Sequence, residues 1–212
     1  MGAQVAGSWN GWRARLRRCS IGLVMSDPHS AILSWVGAER IAISGMPPRG
    51  AVPGLAGQGV THVVNCRARP QVKLSGDLTA ERAAFPGRVV HAPMWDLGQR
   101  QRPGLWAEAA AFAAHALAED PQARVLIHCH WGKRRSAMLA YAVLRLRGHA
   151  PEAAAALVRT YRAQAELVPN YVASVERWLA AQGPARKAPA PRPAPAVPAP
   201  AAPGLARPLA RK

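Results

Sequence analysis

Acidic residues are scarce in this sequence, and so are cysteines, aromatics and long apolar runs. Eleven Asp and Glu face 28 Lys and Arg among 212 residues, a formal charge of +17. A field of that sign attracts phosphates, nucleic acid or anionic membrane surface and says nothing about fold. GC-rich codon usage produces the same excess of Arg, Ala, Pro and Gly without any partner. Cys19, Cys66 and Cys129 are too few and too scattered for a disulfide framework or a zinc site, and no C-x-x-C occurs. No stretch approaches the ~20 apolar residues of a membrane helix. Near the N-terminus Arg13, Arg15, Arg17 and Arg18 precede a short apolar run, Ile21 to Met25. A secretory signal takes roughly 7–15 apolar residues and a small-residue cleavage site, so a cytoplasmic, reduced protein is expected. Met25 could itself be the start of translation, with residues 1–29 a disordered or misassigned basic arm.

Half the residues are hydrophobic, enough for a packed core, although aromatics make up only 6%. Residues 183–212 hold nine prolines, six Lys or Arg and no acid, a composition that forbids helix and sheet ladders. This basic tail is expected to be extended, either a plain linker-like end or a weak anchor for anionic membranes and polyanions. Between residues 30 and 182 strands and helices alternate. Strands are expected over Ile32–Val36, Arg40–Ser44, Val60–Asn65, Arg88–Pro93 and Arg124–His128. Helices are expected at Val52–Gln58, Leu105–Leu117, Ser136–Leu146, Pro151–Arg162 and Asn170–Ala181. The continuous β-branched runs suit buried parallel strands, so the fold class is α/β with a mostly parallel central sheet flanked by helices.

One segment carries chemistry. The strand ending at His128 runs into Cys129-His130-Trp131-Gly132-Lys133-Arg134-Arg135, and a helix follows from Ser136. If the loop curls, its amides and the helix dipole converge on one point, a cradle for a phosphate dianion. Arg135 can fork two phosphate oxygens, and Cys129 at the floor becomes a thiolate in the same field.

His128-Cys129 through Arg135-Ser136 fits H-C-x-x-G-x-x-R-S, and here the sequence resembles the cysteine-dependent protein tyrosine phosphatases, dual-specificity subgroup. Gly59–Asn65 is similar to that family's G-I-T-H-V-L-N strand. Val158–Tyr171, with Arg162 and Pro169-Asn170, is similar to its V-R-x-x-R-P…P-N stretch, although Ala163 replaces the first proline. The resemblance covers roughly Ile32 to Leu179. It implies the family's fold, with Cys129 as nucleophile, Arg135 as phosphate clamp, His128 as a buried brace for the Cys, and Ser136 easing departure of the thiolate. No cofactor or metal is implied. A lipid-directed relative places a cysteine near Cys66 that pairs with its nucleophile; a buried apolar role for Cys66 is the plainer reading.

The leaving oxygen needs a proton. Among four aspartates, Asp27 lies in the arm and Asp77 in what reads as a polar loop. Asp120 stands at the wrong end of the Cys129 strand. Asp96 ends a strand and lies 33 residues before Cys129, about the family's spacing, and is the expected acid. Loop residues His130, Trp131, Gly132, Lys133, Arg134 and Arg135 are expected to bind phosphate. Basic His130, Lys133 and Arg134 suit a second anionic group, or Lys133 and Arg134 point to solvent; Trp131 walls the pocket or packs on the domain. The resemblance implies dephosphorylation of phosphotyrosine, phosphoserine and phosphothreonine proteins. The alternatives are phosphoinositide or other phospholipid headgroups, RNA 5′ phosphates, and an inactive phosphate-binding module. A monomer without specific nucleic-acid recognition is expected.

Overall fold

The computed structural model describes residues 32–183; the expected N-terminal arm and almost all of the tail lie outside the described residues. Five strands, β1 (Ser34–Trp35), β2 (Ile41–Ser44), β3 (His62–Asn65), β4 (Val89–His91) and β5 (Val125–His128), form one sheet in the order β1-β2-β5-β3-β4. Only β1 runs antiparallel. The helices are α1 (Arg69–Ser75), α2 (Asp77–Ala84), α3 (Ala107–Glu119), α4 (Arg135–Leu146), α5 (Pro151–Tyr161) and α6 (Pro169–Ala181). A 3-10 turn, Pro53–Leu55, stands where a short helix was expected over Val52–Gln58, and another, Arg49–Ala51, precedes it. No helix among the described residues is long and apolar enough to cross a membrane.

Strand alternation sorts the side chains onto two faces. Ile41, Ile43, Val64, Val125 and Ile127 join the larger core, made with helices such as the alanine-lined α3 and the central α4. Small alanines on α3, among them Ala109, Ala110 and Ala113, let that helix approach closely. Ala42, Val63 and Leu126 face a smaller core with Val52, Leu55, Val60 and Phe85. Helix α4 is buried continuously from Arg135 to Leu144, which explains its apolar sequence on every side.

Register then fixes the site. Ser44, His128, Asn65 and His91 align across β2, β5, β3 and β4, so all four parallel strands end at one level. The chain segments that leave those ends surround a crevice, where open α/β sheets hold ligands.

The expected loop around Asp77 is wrong. Residues 69–84 form α1 and α2, divided by Gly76 in the left-handed region at φ +65°. Helix α2 buries Asp77 and Glu81, one turn apart, against the sheet. Its inward face is ionic, so the sequence shows no apolar stripe.

Candidate active site

Strand β5 delivers Cys129 to the crevice and α4 begins six residues later at Arg135. The intervening loop is seated on backbone. Gly132 has φ +69°, and a Cβ there would lie 2.5 Å from the Gly45 nitrogen, the Ser44 carbonyl carbon and an Arg162 nitrogen. Only glycine fits so close an approach at that dihedral. Arg162 Nε donates to the Gly132 carbonyl at 3.2 Å, and Met46 N–H to the His130 carbonyl at 3.1 Å.

The Cys129 sulfur is buried at the floor. It accepts from Gly132 N–H at 3.2 Å and lies 3.3 Å from the Ser136 hydroxyl. Burial, the largest influence, disfavours the thiolate. The Ser136 hydroxyl and amide, the Arg135 charge and the Gly132 amide together outweigh it and lower the thiol's pKa. Cys66, fully buried on the same face, goes the other way: burial first, then the Cys129 charge, push its thiol well above the usual range.

Arg135 is 2% exposed and held by backbone and amide oxygens. Nη1 donates to Gln71 Oε1 at 2.9 Å, Met94 O at 3.1 Å and Cys66 O at 3.5 Å. Its buried Nε has no hydrogen-bond partner, and Asp96 Oδ2 lies 3.6 Å away. An unpartnered buried guanidinium N–H beside Cys129 leaves one strong donor free to pair with an anion. Asp96 itself follows the segment after β4. Tyr171 of α6 donates to Asp96 Oδ1 at 3.1 Å and accepts from Gly98 N–H at 3.2 Å, and Asn170 donates to Gly98 O at 2.9 Å. Helix α6 thus pins the loop that carries Asp96.

Beneath the loop lies an ionic network that sequence reasoning missed. His128 points to the smaller-core face, where its Nε2 makes an ion pair with Glu81 Oε1 at 2.8 Å, both fully buried. Asn65 takes its orientation from the Arg67 N–H on its Oδ1, and its Nδ2 donates to Asp77 and Glu81. Arg67 pairs with Asp77 at 2.7 Å. Burial, the strongest influence on His128, favours the neutral ring, but Glu81 overrides it and raises the pKa. Asp77, Glu81 and His128 are close enough together to hold a metal ion. Arg67, Ser75 and Asn65 already occupy their oxygens, so the cluster fits a buried ion-pair network instead.

The cleft above encloses about 550 Å³ and is lined by Gln71, Asp96, His130, Trp131, Lys133, Arg134, Arg135 and Glu166. Of the expected loop residues His130, Trp131, Lys133, Arg134 and Arg135 line it, with unequal electrostatics, whereas Gly132 and the buried Cys129 do not. Arg134 is committed to Glu166 at 2.6 Å, whereas Lys133 is exposed and has no ion-pair partner among the described residues. His130 is not the cation its place suggested. Burial first, then the charges of Arg67 and Arg135, lower its pKa and disfavour the charged ring. Trp131 stands edge-on to His130, ring centroids 4.5 Å apart. Gln71 and Tyr171 were missed: Gln71 lies in the unexpected α1, and Tyr171 reads as ordinary helix.

No protein-family model and no curated protein matches the sequence. Solved structures do. Human DUSP28 aligns with a TM-score of 0.55 at 24% identity, covering 72% of this chain and 98% of that one. Kinase associated phosphatase, crystallised with its catalytic cysteine replaced by serine, aligns at 0.61 and 16% identity, covering 73% and 97%. PTPMT1 in complex with PI(5)P aligns at 0.56 and 16% identity, covering 67% and 93%.

Proposed function

We propose that this chain, whose fold is that of the dual-specificity-like cysteine phosphatases, hydrolyses phosphate monoesters through a phosphocysteine intermediate. The observation that carries the reading is the buried Cys129 sulfur, its pKa lowered by Ser136, Arg135 and the Gly132 amide. The loop amides and Arg135 hold the phosphoryl oxygens, with the unpartnered Nε as one of the donors. The thiolate attacks phosphorus in line, the P–O bond to the leaving group breaks, and Asp96 gives that oxygen its proton. Asp96, now a carboxylate, takes a proton from the water that attacks the phosphocysteine. The P–S bond breaks, phosphate leaves, and the Ser136 hydroxyl steadies the returning thiolate. His128 does not touch the reacting atoms and serves as a positioning residue.

Phosphoproteins are the first substrate class, as the fold shared with kinase associated phosphatase and DUSP28 suggests. Anionic lipid headgroups are a second reading, favoured by Lys133 in the cleft, without an ion-pair partner among the described residues, and by the fold shared with a PI(5)P complex. Turnover of p-nitrophenyl phosphate, a phosphopeptide panel and short-chain phosphoinositides, each in EDTA, tests both levels. Activity should survive chelation and vanish in Cys129→Ser. Arg135→Lys should lose most of it, because an ammonium cannot fork two oxygens. Full activity in the serine variant would overturn the proposal.

A further inference from the structure

Six large apolar side chains are exposed among the described residues, and four of them belong to segments that wall the cleft. Leu74 (89% exposed), Leu97 (76%), Trp131 (66%) and Trp95 (49%) are those four. Trp131 lines the cleft directly; Trp95 and Leu97 flank Asp96, which also lines it. Leu74 lies three residues after the cleft residue Gln71, on the same face of α1. Singly exposed leucines need no explanation, but a ring of two leucines and two tryptophans around one opening does.

Charge points to the occupant. The same segments carry Lys73, Arg100, Arg102 and Lys133, all exposed and without ion-pair partners among the described residues. The one exposed carboxylate lining the cleft, Glu166, is bound to Arg134. Glu39, Glu119 and Asp120 precede β2 and β5 and so lie at the opposite end of the sheet. A second copy, or the chain's own basic tail, would bring like charge to this rim. An anionic bilayer offers what it lacks: a negative surface for the cations, an apolar layer for leucine, and an interfacial zone for tryptophan.

We infer that the rim of the cleft is a membrane-docking face, which seats the opening on anionic bilayer and presents it to phosphomonoester headgroups there. What the docked cleft does to a headgroup rests on the phosphomonoesterase reading; the docking does not. Leu74 and Leu97 enter the interface, the tryptophans sit at headgroup level, and the cations draw the face toward the surface.

The test is vesicle co-sedimentation of the full chain, wild type against Leu74→Gln/Leu97→Gln, with p-nitrophenyl phosphate turnover followed in parallel. Vesicles are phosphatidylcholine alone or mixed with phosphatidylglycerol. The wild type should bind the mixed vesicles, more weakly as salt rises, and prefer them to phosphatidylcholine. The double variant should lose about tenfold or more in partitioning while its small-substrate turnover stays unchanged. Absence of wild-type binding overturns the inference. Equal binding by the variant also overturns it, because attraction would then lie elsewhere, as in the tail. A variant that binds vesicles normally but loses turnover on phosphopeptides would make the rim a protein-docking face and overturn it too. A wild type that binds vesicles but leaves p-nitrophenyl phosphate intact would sink the catalytic reading and keep the docking one.

Discussion

Replacing Glu81 by glutamine should shift the pKa of a cysteine that Glu81 never touches. The amide matches the carboxylate in shape and keeps an acceptor for Asn65, so the main loss is one buried charge beside His128. Burial then decides the histidine's state, and the ring becomes neutral. His128 and Cys129 leave β5 toward opposite faces, roughly 7 Å apart from ring to sulfur by strand geometry. At an effective dielectric of about 20 the lost imidazolium alone amounts to about 2 kcal/mol, but the Glu81 charge a few ångström farther off is lost with it and offsets most of that, leaving about half a pKa unit on the Cys129 thiol. Below the wild-type pKa the thiolate fraction, and kcat/KM with it, should fall about threefold, recovering at alkaline pH. Breaking the buried pair should also cost about 3 kcal/mol, lowering Tm by roughly 6–12 °C. The raised His128 pKa contributes stability that is complete below 6.5 and fades as pH rises through the folded-state value. The Tm difference between wild type and variant should therefore be widest near pH 6, about the ordinary His range, and narrow in alkali. The assay is the pH profile of iodoacetamide alkylation, read by mass spectrometry on the peptide carrying Cys129. Cys66, with its raised pKa, will not compete. Superimposable profiles would refute the electrostatic link between Glu81 and the nucleophile.

Three further outcomes follow from the same geometry. Asp96→Ala should lower kcat about 10²–10⁴-fold on poor leaving groups and much less on good ones; equal losses on both would assign Asp96 a structural role. Gly132→Ala combines a left-handed dihedral with a 2.5 Å backbone overlap. It should cost about 2–4 kcal/mol and about a hundredfold in turnover, and a variant with unchanged Tm and rate would contradict the seating of the loop. Cys66 and Cys129 directly follow the register pair Asn65–His128, on the same face of the sheet. Peroxide should oxidise Cys129 to a sulfenate that Cys66 captures as a disulfide with loss of water, so thiol should restore wild type better than Cys66→Ser. Equal recovery of both would refute the pairing.

The parts legible in the sequence were those that obey simple periodicities. Val125–Ile127 and Val63–Val64 are apolar on both faces because both faces of the sheet are buried there, and α4 is apolar all round because it is buried all round. The loop from Cys129 to Arg135 was legible because its chemistry is local: strand, glycine, arginine and helix start lie within a few residues. Helix α2 was not, because it buries Asp77 and Glu81 where periodicity looks for leucine. Glu81 meets His128 only through the fold, 47 residues away in sequence, and no local pattern announces that contact. Tyr171 and Gln71 are helical residues whose meaning comes from their partners, Asp96 and Arg135. His130 looked basic beside Lys133 and Arg134, yet burial and the charges of Arg67 and Arg135 govern its state. A histidine next to the nucleophile with Arg67 and Arg135 nearby hints at this only once Arg67 is known to be close.

The central claim is a covalent phosphocysteine at Cys129, and acid-quenched single turnover measures it directly. The wild type, mixed with a slow phosphomonoester and quenched in acid within one turnover, should carry one phosphoryl group on the peptide containing Cys129. Asp96→Asn should accumulate more of it with a good leaving group, because the water-activating carboxylate is gone. Cys129→Ser should neither turn over nor carry the label. Phosphate release at the wild-type rate with no phosphoryl group on Cys129 at any quench time would contradict the account.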